Sequence, residues 1–195
     1  GAAQDMLVQI RNQAQAMQQL VDNLLAMARL QQGGVQLKRE WLPVDELVGS
    51  ALAQMRERLA AHALQTALPA DLPLLQLDAV LMERVLVNLL DNAIKYTPEG
   101  TTITVTASVA DGDCVLSVQD AGPGLPVHLS PEQLFEPFTR GQAESAVFGM
   151  GLGLALAQRI VQAHGGRLRV AAAEPGPGTI FSVHLPVPEQ PAMDE

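Results

Sequence analysis

The sequence has a single cysteine, Cys114, which excludes a disulfide framework and a zinc site built on cysteines. It lies in the alternating run CVLSV, where a small apolar residue belongs in a core. Basic residues are scarce as well. Twelve Lys and Arg face 21 Asp and Glu, for a net charge of −9 and a pI near 4.8. That balance excludes a broad basic surface for nucleic acid or anionic membrane, so an anionic ligand needs a local site. No apolar run approaches the ~20 residues of a membrane span and no secretory signal opens the chain, so the expectation is a cytoplasmic segment. No Gly-Lys-Ser or Gly-Lys-Thr of a Walker loop occurs, and G-x-G-x-x-G fails at Leu154. No internal repeat is present. What remains is a 195-residue chain, 48% hydrophobic, which can bury one sizeable core and carry something appended to it.

Residues 5–32 contain neither Gly nor Pro. Leu7, Ile10, Ala14, Met17, Val21, Leu24 and Ala28 recur by threes and fours, an a/d seam that predicts one helix of a bundle. Leu20, Leu25 and Met27 widen that face. The alternative is a helix packed on its own domain. Gly33-Gly34 ends the helix. VQLKREWL then alternates as a strand up to Pro43, and Asp45 is expected to cap a helix over about 46–62 with Leu47, Ala51 and Met55 inward. LLQLD predicts a short strand, with Asp78 capping a helix that begins at Ala79. TTITVTASVA and CVLSVQD read as strands joined at Asp111-Gly112-Asp113. After a long Gly- and Pro-rich stretch, with one helical turn near Pro131–Phe135, come a helix over Leu152–His164 and the strands RLRVAAA and TIFSVHLPV. A tail from Glu189 is expected to be disordered. The pattern predicts an α+β fold, a two-layer α/β sandwich.

Three motifs carry chemistry. ERVLVNLLDNAIKYT, residues 83–97, places Arg84, Asn88, Asn92 and Lys95 on one stripe of an otherwise apolar helix. Buried amides need partners, which are either neighbouring loops or a ligand. Asp120-Ala121-Gly122-Pro123-Gly124 ends a strand, where a carboxylate either caps its own turn or accepts a hydrogen bond from an exocyclic amine such as that of adenine. Gly149, Gly151 and Gly153 precede a helix, where bare backbone and the helix N-terminus suit phosphate. Alone, these glycines also admit the reading of a flexible loop.

In this order, the asparagine helix, D-x-G-x-G and G-x-G-x-G resemble the N, G1 and G2 boxes of sensor histidine kinases and their ATP-binding relatives, over about residues 79–181. The resemblance implies a Bergerat-type ATP-binding fold, a mixed sheet packed on about three helices behind one long bundle helix. It implies ATP and Mg2+ as cofactors. Asp120 is then the residue that holds the adenine amino group, with Gly122 and Gly124 in its turn. Asn92 is the magnesium ligand and Asn88 its neighbour. Lys95 and Tyr96 contact phosphate and nucleotide, and Gly149, Gly151, Leu152 and Gly153 line the phosphates. FEPFTR, residues 135–140, looks like the F box, making Arg140 the candidate for charge stabilisation in transfer. Gly176 and Gly178 before Thr179 resemble a third glycine box. Ala121 departs from the Asn often found in the G1 box.

Hydrolysing members of the same fold carry a general-base Glu one turn before the magnesium Asn. This chain has Asn88 there, and an amide cannot take a proton from water. The resemblance therefore implies phosphoryl transfer, with catalytic roles for Asn88, Lys95 and Arg140. Yet His62, His128, His164 and His184 all lack an acidic residue following them, as the family's phosphoacceptor has. Residues 1–32 resemble the second helix of the dimerisation and phosphotransfer bundle, which implies an acceptor histidine upstream. The remaining divisions expected are a linker strand at 33–44, a catalytic domain at 45–188 with a lid at about 121–153, and the tail at 189–195. The implied partners are ATP, the upstream helix, a response regulator and a second copy, with no nucleic acid. LQQGGVQLKREWLPVDELVGSAL and RGQAESAVFGMGLGLALAQRIV are similar to the potassium-responsive branch of the family, whose kinases sit in the inner membrane with this part in the cytoplasm. The rival readings are an ATPase or serine-type kinase on the same fold, and a non-catalytic docking module.

Overall fold

A computed structural model describes residues 1–31, 36–125, 129–138 and 151–191. The first helix, α1 (Ala2–Gln31), runs the length of the Gly- and Pro-free stretch. Gly33 and Gly34, expected to end it, lie outside the described residues. The a/d seam points outward: Leu7, Ile10, Met17, Val21 and Leu24 are all exposed. A different face docks on the rest of the chain, with Met27 and Asn23 buried and Ala26 and Leu30 packed against the core.

The strand expected over VQLKREWL shrinks to β1 (Glu40–Leu42), which pairs antiparallel with β3 (Leu75–Leu77). Two corrections concern the next helix. It begins at Val44 with Pro43 at the N-cap, so Asp45 lies in the first turn and caps nothing. It also breaks at Met55 (φ −94°, ψ 2°) into α2 (Val44–Gln54) and α3 (Arg56–Leu59). The inward set Leu47, Ala51 and Met55 is buried as its spacing requires.

Helix α4 (Ala79–Tyr96) starts at the expected cap, where Asp78 Oδ1 accepts from Leu81 N–H. It leads into the hairpin of β4 (Thr102–Ala110) and β5 (Asp113–Asp120). Asp111 and Gly112 both have positive φ, at 52° and 82°, the geometry of a two-residue hairpin turn. The single turn α5 (Pro131–Leu134), helix α6 (Gly153–Ala163) and strands β6 (Arg167–Ala172) and β7 (Thr179–Pro186) complete the elements. One strand was not foreseen. β2 (Ala63–Ala67) pairs parallel with β4 at the sheet edge, and its five residues are all exposed, so no alternation marks it.

The main sheet has the order β2-β4-β5-β7-β6. Alternation puts Val105, Val118 and Phe181 on one face, with Leu116, Val183 and Leu168, and these residues are buried in the core. Helices α2, α4 and α6 contribute Val48, Leu86, Leu89, Leu156 and Ile160 to the same core. The opposite face is polar, with Ser117 and Ser182 hydroxyls paired at 2.9 Å. The result is the two-layer sandwich expected. Cys114 is a buried core residue whose burial raises its thiol pKa to about 11, so it is inert at neutral pH.

His164 ties the helices together. Its Nδ1–H donates to Ile160 O at 2.7 Å, which leaves Nε2 to accept from Asp78 N–H at 3.0 Å. Asp78 Oδ2 in turn accepts from Lys38 N–H at 3.0 Å, and Arg39 Nη2 donates to Ala163 O at 3.3 Å. The segment after α1 is thereby fastened where α4 begins and α6 ends. Burial is the main cause that lowers the His164 pKa below its ordinary 6.5, with Arg39 adding to it and the Ile160 carbonyl and Asp78 opposing. The folded state therefore binds fewer protons than the unfolded one as pH falls through 6.5. Stability is full above about pH 6.5 and is lost as pH drops toward the folded pKa. His184, also lowered chiefly by burial, acts in the same window. Urea denaturation at pH 7.5 and pH 5.5 is expected to show a smaller loss for His164→Gln than for the wild type, since the amide oxygen still accepts from Asp78 and does not titrate.

Candidate nucleotide-binding site

The site forms where α4, the end of β5, the start of α6 and the start of β7 converge. Asp120 closes β5 and is buried, 5% exposed. Its Oδ1 accepts from Gly122 N–H at 2.9 Å and from Thr179 N–H at 3.2 Å, and no described residue bonds to Oδ2. Burial raises its pKa, while the two backbone N–H groups oppose the rise. Asp120 therefore does cap its own turn, and it keeps one oxygen in a poorly solvated position where a hydrogen bond is strengthened.

Two glycines make this possible. A Cβ on Gly122 would stand 2.7 Å from Tyr96 O and 3.0 Å from Thr97 Cγ2. A Cβ on Gly178 would stand 2.1 Å from Asp120 O, and that residue has φ 142°. Gly124, φ 89°, lies 3.6 Å below Gly178 O by the same measure. The first and third glycine boxes are thus one structure packed around Asp120.

A second cluster lies further back along α4. Asn88, 4% exposed, donates from Nδ2 to Gly153 O at 3.2 Å and accepts from Gln19 Nε2 at a long 3.4 Å. It fixes the start of α6 to α4 and touches α1 as well. Leu152 at the α6 N-cap is buried and makes no side-chain cap. The first N–H groups of that helix are free of a capping side chain and suited to an anion. Gly151 (φ 66°) accepts from Phe138 N–H at 3.1 Å, joining the FEPF segment to this loop. Residues 88 and 96, which mark the two clusters, are about 12 Å apart along the helix axis.

Asn92 lies between them, partly exposed. Lys95 pairs with Asp91 Oδ2 at 2.8 Å, and Arg58 pairs with the other oxygen of the same carboxylate. Tyr96 is 38% exposed. Arg140 and Gly149 lie outside the described residues. Sequence reasoning missed Asp91, although the Asp91–Lys95 spacing is that of a helical ion pair. No group of three or more His, Cys, Asp or Glu among the described residues could hold a metal ion.

Residues 77–189 match the family described as histidine kinase-, DNA gyrase B-, and HSP90-like ATPase, and the chain belongs to it. It has the form of the ATP-binding catalytic domain typical of two-component sensor histidine kinases. In particular, it is 46% identical over 176 residues to the sensor protein KdpD of Escherichia coli (strain K12), covering 90% of this chain and 19% of that protein. The mycobacterial sensor histidine kinase MprB superposes with a TM-score of 0.66 at 31% identity, over 76% of this chain and 97% of that one. Full-length ShkA in complex with AMPPNP gives a TM-score of 0.75 at 28% identity, over 95% of this chain and 39% of that one. The chain thus spans 19% of the length of its KdpD relatives.

The glycine cradle makes a quantitative contrast. Gly178→Ala drives a Cβ into Asp120 O as well as straining the backbone, and is expected to cost about 2–3 kcal/mol, a drop in melting temperature of roughly 4–12 °C. Gly176→Ala has open space around its Cβ and φ 105°, so it carries backbone strain alone, about 1 kcal/mol. Thermal denaturation of the two variants side by side measures the difference.

Proposed function

We propose that this chain binds ATP between α4 and the glycine turns and presents its terminal phosphate to a histidine on an upstream helix of the same protein, for relay to an aspartate of a response regulator. The observation that carries this reading is Asp120, a buried carboxylate held by one oxygen with the other unclaimed among the described residues. Such an acceptor suits the exocyclic amine of adenine. Asn92 offers its amide oxygen to a magnesium ion bridging the phosphates, which would supply charge neutralisation. Lys95 and Tyr96 line the nucleotide, Arg140 serves the terminal phosphate, and the start of α6 at Leu152 and Gly153 receives the phosphates. Asn88 has both ends of its amide engaged and no basic group to activate water, which favours transfer over hydrolysis. The stimulus we infer is potassium, on the likeness of the linker and lid runs to that branch.

No described helix is long and apolar enough to cross a membrane, and we place this part on the cytoplasmic side of an inner-membrane kinase. Helix α1 is the second helix of the bundle in this reading. Its exposed apolar row then belongs against other bundle helices, including those of a second copy. Sedimentation over a concentration series is expected to show self-association through that row; a strictly monomeric chain would count against it.

Calorimetry with ATP, with and without magnesium, tests the site. Saturable binding is expected for the wild type, with Asp120→Asn abolishing it, because the amide cannot accept equally from Gly122, Thr179 and the base. Asn92→Ala is expected to weaken magnesium-dependent binding about tenfold and metal-free binding much less. Equal losses in both conditions would remove Asn92 from the metal. A folded wild type that binds no ATP would move the weight to a docking module.

A further inference from the structure

We propose that His62 is a positioning residue for base recognition, acting through Thr97. The inference deepens the adenine reading of Asp120 and rests on it. Thr97 ends α4 with extended backbone, φ −121° and ψ 144°, and is buried. Its hydroxyl lies 2.7 Å from Ala93 O and 3.1 Å from His62 Nε2. A carbonyl has no proton to give, so the Thr97 hydrogen goes to Ala93 and the hydroxyl oxygen must accept from His62. The ring therefore carries a proton on Nε2. The other nitrogen, Nδ1, is buried with no partner among the described residues. Among the described residues, the His62 side chain thus makes a single hydrogen bond, to Thr97.

The flanking backbone reinforces that bond. Gly100 N–H donates to Ala61 O at 2.7 Å and Ala63 N–H donates to Thr101 O at 3.0 Å, so residues 61–63 clamp the chain as it leaves α4. On the inner side of this exit, Tyr96 O and the Thr97 methyl form the wall against which Gly122 packs, at 2.7 and 3.0 Å from where its Cβ would be. Gly122 N–H in turn holds Asp120 Oδ1. A shift of Thr97 therefore moves the turn that orients the carboxylate. The start of α6, where the proposed phosphates would lie, is outside this chain of contacts.

The test compares ATP with inosine triphosphate, which carries oxygen in place of the amino group, by calorimetry on the wild type and on His62→Leu, His62→Gln, Thr97→Val and the double variant His62→Leu/Thr97→Val, below their melting temperatures. His62→Leu is expected to weaken ATP binding about fivefold and inosine triphosphate binding little. His62→Gln can still donate to Thr97 and should stay within about twofold of wild type. The double variant should be no worse than Thr97→Val alone. Full discrimination in His62→Leu, equal loss for both nucleotides, a Gln variant as impaired as Leu, or losses that multiply in the double variant would each overturn the role. A wild type without preference for ATP would overturn the adenine reading itself. A preference abolished by Asp120→Asn but untouched by His62→Leu would overturn this inference alone.

Discussion

Helix α4 is buried on most of its surface, and every buried polar group it carries must find a partner or remain unpaired at a cost of about 1–3 kcal/mol. Much of the architecture follows from that constraint. Asp78 at its start accepts from its own first turn and from Lys38 N–H. Asn88 reaches Gly153. Asp91 draws Arg58 from α3 and Lys95 from the next turn. Thr97 at its end returns a bond to Ala93. Each of these places a neighbour, and the neighbours are the linker, the start of α6, the α3 turn and the wall of the glycine cradle.

The cradle answers a second constraint, that a carboxylate buried to 5% exposure must be held by hydrogen bonds if it is to persist. Two backbone N–H groups can reach one oxygen only if the chain passes close to it twice. Gly122 and Gly178 permit that approach, since a side chain at either would overlap Tyr96 O or Asp120 O. The same packing that satisfies Oδ1 leaves Oδ2 without a partner among the described residues.

Much of this was legible in residues. Apolar alternation over 102–120 and 179–186 located three strands, and the Asp111-Gly112 pair located their hairpin, because side-chain period and turn chemistry are local. The capping role of Asp78 was legible for the same reason, whereas Asp45 misled because Pro43, with its fixed φ, starts α2 two residues earlier. β2 was silent, since an edge strand with every residue exposed has no pattern to read. Among site residues, the spacing of Asn88, Asn92 and Lys95 gave their common stripe but not their partners. That Asn88 would bond to Gly153 and Gln19, and that His62 would meet Thr97, depends on elements 35 to 69 residues away in sequence, which no local rule encodes.

Helix α1 shows how one amphipathic pattern can serve two surfaces. Its seam of Leu7, Ile10, Met17, Val21 and Leu24 faces outward, while Asn23, Ala26, Met27 and Leu30 occupy the domain. A strict seam is narrow; of the residues that widen it, Met27 makes the second contact while Leu25 stays exposed. On the domain-facing side Asn23 Oδ1 is buried without a partner among the described residues, and the same is true of Arg84 Nε on α4. A face with unpaired polar atoms and a long Gln19–Asn88 bond is a weaker attachment than the apolar core beneath it. The Lys38 N–H bond to Asp78 and the Arg39 side-chain bond to Ala163 O add a fastening beside α1, on the segment that follows it.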